Sequence, residues 1–279
     1  MQPATILLSH DELLYLLYIA KIPSLPGMAQ NPLATLETEQ LALTLSAGQR
    51  GLLSKQLLDF ENNSPIVETA LMRIILFCSI NQRALLFNHT NATNAYSAVL
   101  HLRDGVMIRH AMMERGVHTF TLFRTPEELL DTLMKLLSMG NMQEAHEPAY
   151  EFELSGAALT NARIAMQTPN INSDTVIERL VYARLSQTQA RALVQSLGQD
   201  FISTISLNYL FVQPDPSPID PYIGFIQDVR GWWLMEPLEH DMNPAKSIFH
   251  FSRVSSAQVF SRLKTFFAHL LGSSADPSR

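Results

Sequence analysis

Nine histidines are the side chains of this 279-residue sequence best suited to chemistry near neutral pH. None of them stands in a His-x-x-x-His, His-Glu-x-x-His or Cys/His spacing of the kind that binds zinc. His101, His110 and His118 fall on neighbouring predicted strands, so their side chains can meet in the fold. Two interpretations stay open, a metal site and ordinary half-exposed strand positions, and we expect the second, with no bound metal.

Other signatures of catalysis are missing from the sequence. It contains no Gly-x-Ser-x-Gly, no Gly-x-Gly-x-x-Gly and no Gly-x-x-x-x-Gly-Lys. The single cysteine, Cys78, lies in the apolar run "LMRIILFCSI" and is expected to be a small buried hydrophobe. Paired carboxylates such as Glu127 and Glu128 begin predicted helices, where they offset the helix dipole. We therefore predict a protein that is not an enzyme and needs no cofactor.

Two pairs of residues are instead candidates for protein contacts. Trp232 and Trp233 are adjacent on a predicted strand and must point to opposite faces, so one fills the core and the other is either covered by a helix or offered to a partner. Met112 and Met113 lie in "RHAMMERG", a predicted strand-to-strand loop, where exposed methionines suit an adaptable contact and a local lid on the core is the alternative. These four residues are the predicted protein-binding residues.

The charge balance argues against nucleic acid as a partner. The formal net charge is -6, and lysines and arginines are scattered singly, whereas nucleic-acid binders show a basic face. Residues 38–58, "TEQLALTLSAGQRGLLSKQLL", also fit a helix-turn-helix, with Arg50, Lys55 and Gln56 as its main polar contacts. A winged-helix-type DNA-binding regulator is therefore an alternative function, and an unrecognised small-molecule enzyme is another.

Hydrophobic periodicity predicts helices followed by strands in the first half of the chain. A capping box, Ser9 to Glu12, begins the first helix, and Pro65 lies in the first turn of another. From about residue 83 short β-type runs alternate with turn residues, including the hairpin signal "RDG". The predicted helices are a first one from Ser9, one at 36–47 followed by a short helical piece, one through "NNSPIVETALMRIILFC" and a closing helix at 125–138.

The second half repeats this order of elements. Predicted helices at 152–166, from Ser173 or Asp174, and at 185–198 precede four strand-like runs and a final helix. The two final helices align at a spacing of 130 residues, which places the capping residues Thr125 and Glu128 on Ser255 and Gln258. The shared order predicts an internal duplication.

The duplication predicts an α+β fold made of two pseudo-repeats, each with helices, an antiparallel β-meander and a closing helix. Each half leaves a sheet edge unpaired and an apolar face uncovered, so the halves can pair edges or pack faces about a pseudo-two-fold axis. We predict one fused body, with the first pseudo-repeat at 1–139, a linker at 140–149, the second at 150–272 and a flexible tail at 273–279.

The same features resemble the EspG family of type VII (ESX) secretion-associated proteins. The resemblance rests on "LSHDELLYLL", "LMRIILFC", "FTLFRTPEELLDTLMKLL", "GFIQDVRGWWLME" and "FHFSRVSSAQVFSRLKTFF", and it is one of pattern rather than of a short motif. It implies a central quasi-two-fold sheet flanked by helical bundles, and a non-enzymatic cytosolic chaperone that binds helical secretion substrates, typically paired PE and PPE proteins.

These observations predict a protein-binding module that acts as a chaperone-like adaptor for helical secretion substrates. The N-terminus, "MQPATILLSHDELLYLLYIA", has no basic region, and Asp11 and Glu12 interrupt its apolar run, so we expect neither a signal peptide nor a membrane span. The expected location is the cytoplasm, which the single cysteine also fits.

Overall fold

The computed structural model describes residues 4–80, 83–103, 105–113, 116–136, 150–168, 171–198, 200–211, 222–239 and 246–272. The predicted linker at 140–149 and tail at 273–279 lie outside these residues. The first half consists of β1 (Ala4–Ser9), α1 (His10–Ala20), a 3₁₀ helix (Pro32–Thr35), α2 (Thr38–Ser54), β2 (Leu58–Glu61), β3 (Ser64–Val67), α3 (Thr69–Ile80), β4 (Arg83–Asn91), β5 (Ala95–Arg103), β6 (Val106–Met113), β7 (Val117–Phe123) and α4 (Pro126–Leu136).

The described residues of the second half have the same plan, without the small hairpin and the 3₁₀ helix. They consist of β8 (Glu151–Ser155), α5 (Gly156–Gln167), α6 (Ser173–Tyr182), α7 (Gln187–Leu197), β9 (Phe201–Phe211), β10 (Tyr222–Asp228), β11 (Gly231–Glu239), β12 (Ile248–Val254) and α8 (Ser256–Gly272). The predicted α+β fold is confirmed.

Ten strands form one antiparallel sheet in the order β1-β7-β6-β5-β4-β9-β10-β11-β12-β8. The first strand of each half lies at an outer edge of the sheet, and β4 pairs with β9 at the centre from Arg83 opposite Phe211 to Asn91 opposite Ser203. Of the two arrangements that the duplication left open, the halves therefore pair edges. Joining the edges satisfies backbone groups that each half alone would leave exposed.

The closing helices share one face of this sheet. Leu129 and Leu133 of α4 and Val259 and Leu263 of α8 are buried in one apolar cluster with residues from both halves of the sheet, such as Phe87. The other face carries two separate clusters, one under α1, α2 and α3 and one under α5, α6 and α7. One face of the sheet is thus covered at its centre by the closing helices, and the other face is covered in each half by that half's own helices.

The predicted capping box is complete in α8, whereas in α4 only its first hydrogen bond forms, because Glu128 Oε2 accepts from the Arg124 amide at 2.8 Å and not from the Thr125 amide. The amide N–H of Glu128 donates to Thr125 Oγ1 at 3.3 Å, and that of Gln258 donates to Ser255 Oγ at 3.3 Å. The reciprocal bond in α8 runs from the Ser255 amide to Gln258 Oε1 at 2.7 Å. Because each side chain occupies a backbone N–H that the helix itself leaves unpaired, both helices begin at a fixed point after the last strand.

Two predicted helices begin later than expected because strands occupy their first residues, whereas the first helix begins at its predicted cap, Ser9. The segment 152–166 begins as the edge strand β8, and a further edge strand, β1, precedes Ser9. Pro65 lies in strand β3 opposite Phe60, not in a helix, because Asn62 and Asn63 adopt φ values of 51° and 63° and close a two-residue hairpin turn.

The helix-turn-helix interpretation of 38–58 is also wrong. Residues Thr38–Ser54 form one continuous helix, α2, with no turn at the two glycines in its middle. A Cβ built on Gly48 would lie 2.2 Å from the Asp11 carbonyl oxygen, and one on Gly51 would lie 2.4 Å from Glu12 Oε1. The glycines therefore serve the close packing of α2 on α1, which outweighs their poor helix propensity.

We expect Gly48→Ala to lower the free energy of unfolding by about 1–3 kcal/mol, because the added methyl group forces α2 away from the backbone of α1. The intrinsic preference for alanine in a helix acts in the opposite direction, by about 1 kcal/mol. Urea unfolding measures the net effect. A stabilised Gly48→Ala variant would show that the contact between α1 and α2 is looser than described.

Candidate functional site

An open groove lies between α5 and α6 on the second half of the molecule. Its volume is about 520 Å³, and its floor includes Ala158, Ala162 and Ala165, which fall on one face of α5. Their small side chains leave the space that a larger residue would fill. Ser155 accepts the Ala158 amide at 3.2 Å and Asn172 accepts the Asp174 amide at 3.0 Å, so a side-chain cap fixes the start of each wall.

Large apolar side chains line the rim of this groove. Ile164 on α5 is 57% exposed, and Ile171 in the connection to α6 is 37% exposed. Contiguous exposed apolar surface of this kind marks an interaction site more often than scattered exposed residues do.

The polar groups of the groove are few and cannot act as proton carriers near neutral pH. They are Asn161, Thr168 and Arg179. Arg179 is exposed, and no carboxylate of the described residues lies within ion-pair distance of it. A groove with an apolar floor, an apolar rim and one available guanidinium is suited to binding the apolar side of a helix beside an acidic residue.

The two adjacent tryptophans do point to opposite faces, but both are fully buried. Trp232 lies under α8 and donates from Nε1 to Ser256 Oγ at 3.3 Å, whereas Trp233 lies under α7 and donates to Ser196 Oγ at 2.8 Å. A tryptophan offered to a partner is therefore not what the structure shows, because helices cover both faces of β11. The sequence alone did not show that helices would cover both faces of this strand.

Met112 and Met113 are exposed, by 63% and 55%. They are the last two residues of strand β6 rather than loop residues, and they lie opposite His118 and Val117 of β7. Their high exposure excludes the alternative of a lid on the core. Their part in binding a partner stays a prediction, and they belong to the half of the sheet that does not carry the groove.

A buried ion pair ties strand β10 to β12 and to α7. Arg253 donates to both oxygens of Asp228, at 2.7 Å and 3.0 Å, while the Ser196 hydroxyl and the Arg230 amide also contact that carboxylate. Burial raises the pKa of Asp228, but the hydrogen bonds from Arg253 and Ser196 and the Arg253 charge outweigh it and leave that pKa below its usual value. The Arg253 guanidinium also lies 4.9 Å from the centre of the Trp233 ring.

The three histidines on neighbouring strands lie close together, as their sequence positions allowed, but they are not half exposed. His101, His110 and His118 are 0%, 5% and 2% exposed, because α1, α2 and α3 cover this face of the sheet. A fourth, His10, joins them from the first turn of α1. Among the described residues, no group of three or more His, Cys, Asp or Glu side chains is placed to hold a metal ion.

A family comparison covers the first half of the chain and the start of the second. The model of a family described as "Uncharacterised protein YfjC" matches residues 5–168, which is more than half of the 279 residues. The chain belongs to the YfjC family. In this YfjC-family chain the match runs from β1 into the end of α5, so it includes one wall of the groove. Among the curated proteins, none matches.

A solved structure has the same fold as this YfjC-family chain. It is the Mycobacterium tuberculosis type VII secretion system chaperone EspG5, in complex with the PE25-PPE41 dimer. The TM-score is 0.64 and the sequence identity is 10%, and the likeness covers 95% of this chain and 96% of the EspG5 chain. At this identity the comparison shows a shared fold over nearly the full length of both chains.

The groove was missed by sequence reasoning. Ile164, Ile171 and Arg179 carry no motif, and 152–166 was interpreted only as a helix. One usable signal was present: alanines at 158, 162 and 165 follow helical spacing, and they precede a short polar connection to the next helix.

For the described part of the chain, no helix is both long and apolar enough to cross a membrane.

Proposed function

We propose that this YfjC-family protein is a non-enzymatic, cytoplasmic, chaperone-like adaptor that binds a helical substrate of type VII secretion. The observation that carries the proposal is the open apolar groove between α5 and α6 on a fold shared with EspG5. EspG5 is a type VII secretion chaperone whose structure contains a bound PE25-PPE41 dimer. A chaperone of this kind needs an accessible apolar surface, and the groove supplies one.

The groove favours binding over catalysis. Its polar groups are an amide, a hydroxyl and a guanidinium, and none of these takes up or releases a proton readily near pH 7. General acid–base or nucleophilic chemistry requires a titratable or activated group beside the substrate. The same groups are well suited to orienting a polypeptide by hydrogen bonds and charge.

The dimensions and chemistry of the groove favour one helix with a narrow apolar stripe. The alanine floor allows the backbone of a partner helix to approach closely, and Ile164 and Ile171 then cover its flanks. Arg179 would pair with an acidic side chain that flanks the stripe on the partner. The proposed partner is therefore an amphipathic helix with adjacent small or branched apolar residues and a neighbouring carboxylate.

We expect the double variant Ile164→Glu/Ile171→Glu to reduce recovery of the partner at least about tenfold, because carboxylates then replace the apolar rim, and each tenfold loss is about 1.4 kcal/mol of binding free energy. Affinity capture from the native cell with quantitative mass spectrometry measures recovery. Leu43→Glu is the matched control, since Leu43 on α2 is 64% exposed and distant in sequence from the groove.

Support for the proposal requires one small helical protein that the wild-type chain and Leu43→Glu capture equally and that the double variant loses. Equal recovery by all three proteins would place binding elsewhere, with the exposed Met112 and Met113 as the next surface to test. Circular dichroism of each variant confirms that the fold is retained, which surface substitutions outside the core normally allow.

A further inference from the structure

Four histidines form a continuous line from the surface into the core of the first half. His10 Nδ1 lies 3.0 Å from His118 Nε2, and His118 Nδ1 lies 2.9 Å from His110 Nε2. The His110 ring stacks on the Phe120 ring at 4.4 Å between centroids, and the centroid of the His101 ring lies 6.3 Å from that of His110. We call His10, His118, His110 and His101 the histidine ladder.

The ladder joins three separate parts of the fold. His10 is the first residue of α1, directly after the edge strand β1, and His118 lies on β7, the only neighbour of β1 in the described sheet. His110 and His101 lie on β6 and β5. The contact between His10 and His118 is therefore a side-chain link between the β1–α1 unit and the body of the sheet.

The hydrogen bonds of the histidine ladder require neutral rings, and they fix which ring nitrogen donates and which accepts in each bond. His110 Nδ1 is buried and has no hydrogen-bond partner, and an acceptor without a partner costs less there than a donor without one. His110 then donates from Nε2 to His118 Nδ1, and His118 donates from Nε2 to His10 Nδ1. A proton added to His118 reverses the inner bond and leaves an N–H of His110 in the core without an acceptor.

Among the described residues, the charged groups that affect His110 and His118 are other histidines, and no carboxylate offsets an added proton there. Leu8 and Phe120 are fully buried beside the ladder. Glu12 already binds Lys55 at 2.6 Å, and burial raises the pKa of the Cys78 thiol, which keeps it neutral. The titratable or charged groups on the elements packed here are, besides the ladder itself, Asp11, Glu12, Tyr15 and Tyr18 on α1, Glu39 and Arg50 on α2, Lys55 directly after α2, Arg73 and Cys78 on α3, and Tyr96, Arg103 and Arg109 on the sheet.

We propose that the histidine ladder is a proton-sensitive latch, which holds the β1–α1 unit on the sheet while its rings are neutral and releases that unit on acidification. The second half contains no equivalent ladder among its described residues, and its buried ion pair between Asp228 and Arg253 keeps its charge in mild acid. Release is therefore confined to the first half. This inference does not depend on the identity of the partner.

The pH window follows from the ionisation of the buried rings. Burial lowers the pKa of His118 to about 4 and that of His110 to about 3, with the neighbouring histidines adding to the shift. A released histidine titrates near 6.5, so the released state binds more protons between about pH 6.5 and 4, and the latched state loses stability as the pH falls through that range. Above about pH 6.5 the histidines are mostly neutral in both states, so the latched state keeps its full stability relative to the released state.

Hydrogen exchange of the full-length protein, measured by mass spectrometry at pH 7.5 and 5.0 and corrected for intrinsic rates, tests the latch. If opening exposes His118 alone, the equilibrium constant for opening of residues 4–20 is about 30-fold larger at pH 5.0 than at pH 7.5. If opening exposes His110 as well, the increase is about 1000-fold. Segments of β10, β11 and β12 keep their protection. Parallel loss of protection in both halves, or unchanged protection at residues 4–20, would overturn the proposal.

Two variants separate the ladder from general acid sensitivity. His118→Gln keeps a donor and an acceptor but does not titrate, so the pH effect on residues 4–20 loses the share of His118 and falls about 30-fold; His118→Asn serves if that variant does not fold. His250→Gln on β12 is the matched control and leaves the effect unchanged. A full pH effect in both ladder variants would contradict the latch.

Discussion

Replacing Asp228 with alanine is expected to lower the free energy of unfolding by about 3–5 kcal/mol, because the buried Arg253 charge then loses the carboxylate that neutralises it. The side chain of Asp228 is fully buried, and that of Arg253 is 5% exposed. The carboxylate also organises the Ser196 hydroxyl and the Arg230 amide, so its loss disturbs α7 and the β10–β11 turn together. Denaturant unfolding followed by circular dichroism gives the change.

A second variant separates the pair from its surroundings. Asp228→Leu combined with Arg253→Met replaces both charges by apolar groups, and we expect it to recover most of the lost stability, since buried ion pairs are often replaced by apolar side chains at little cost. The control is Glu236→Ala, because Glu236 and Arg262 form an exposed pair at 3.8 Å that contributes at most about 1 kcal/mol. An Asp228→Ala effect as small as this control would contradict the described burial.

Trp232→Ala and Trp233→Ala are each expected to lower the free energy of unfolding by about 3–5 kcal/mol. Both rings are fully buried and lie in separate apolar clusters on opposite faces of the sheet. The milder Trp→Phe substitutions keep most of the buried area and remain folded for binding measurements. Met112→Ala and Met113→Ala are the controls, with changes within about 0.5 kcal/mol because both side chains are exposed.

These values distinguish a core role from a contact role for the tryptophans. A residue that anchors a partner changes affinity when it is truncated and has little effect on the free chain. We expect the reverse for both tryptophans. A stable Trp232→Ala or Trp233→Ala protein with weakened partner capture would contradict the core role and restore the interpretation that sequence alone left open.

The architecture was accessible from the sequence because it rests on local signals that repeat. Ser9 with Glu12 and Ser255 with Gln258 form the capping boxes that their spacing predicted. The β-branched runs between 83 and 123 became β4 to β7, and the paired meanders predicted a duplicated sheet. Caps and periodicity act within a few residues, so tertiary contacts rarely overrule them.

The errors arose where a distant contact decides the local structure. Gly48 and Gly51 look like a helix break, but their missing side chains are required by α1 more than thirty residues earlier. Strand β8 is short and pairs only at an edge, and its sequence alone does not separate it from the helix that follows. Both cases depend on packing partners that a single segment does not specify.

The candidate site was less accessible than the fold. A groove is a property of two helices and the gap between them, so neither Ile164 nor Arg179 is distinctive within its own segment. The burial of both tryptophans likewise depends on how many helices cover each face of the sheet. His10 could not be added to the strand histidines, because its position depends on β1, which the sequence did not reveal.

Site-specific photo-crosslinking in the native cell tests the central claim most directly, because it reports which surface touches the partner. A photoreactive amino acid is placed at Ile164 or Ile171 on the groove, at Met112 on the β6 end, or at Leu43 as the exposed control. We predict crosslinks from 164 and 171 to one helical export substrate, and none from 43. Crosslinks to that substrate from 112 or 43 but not from the groove positions would contradict the account.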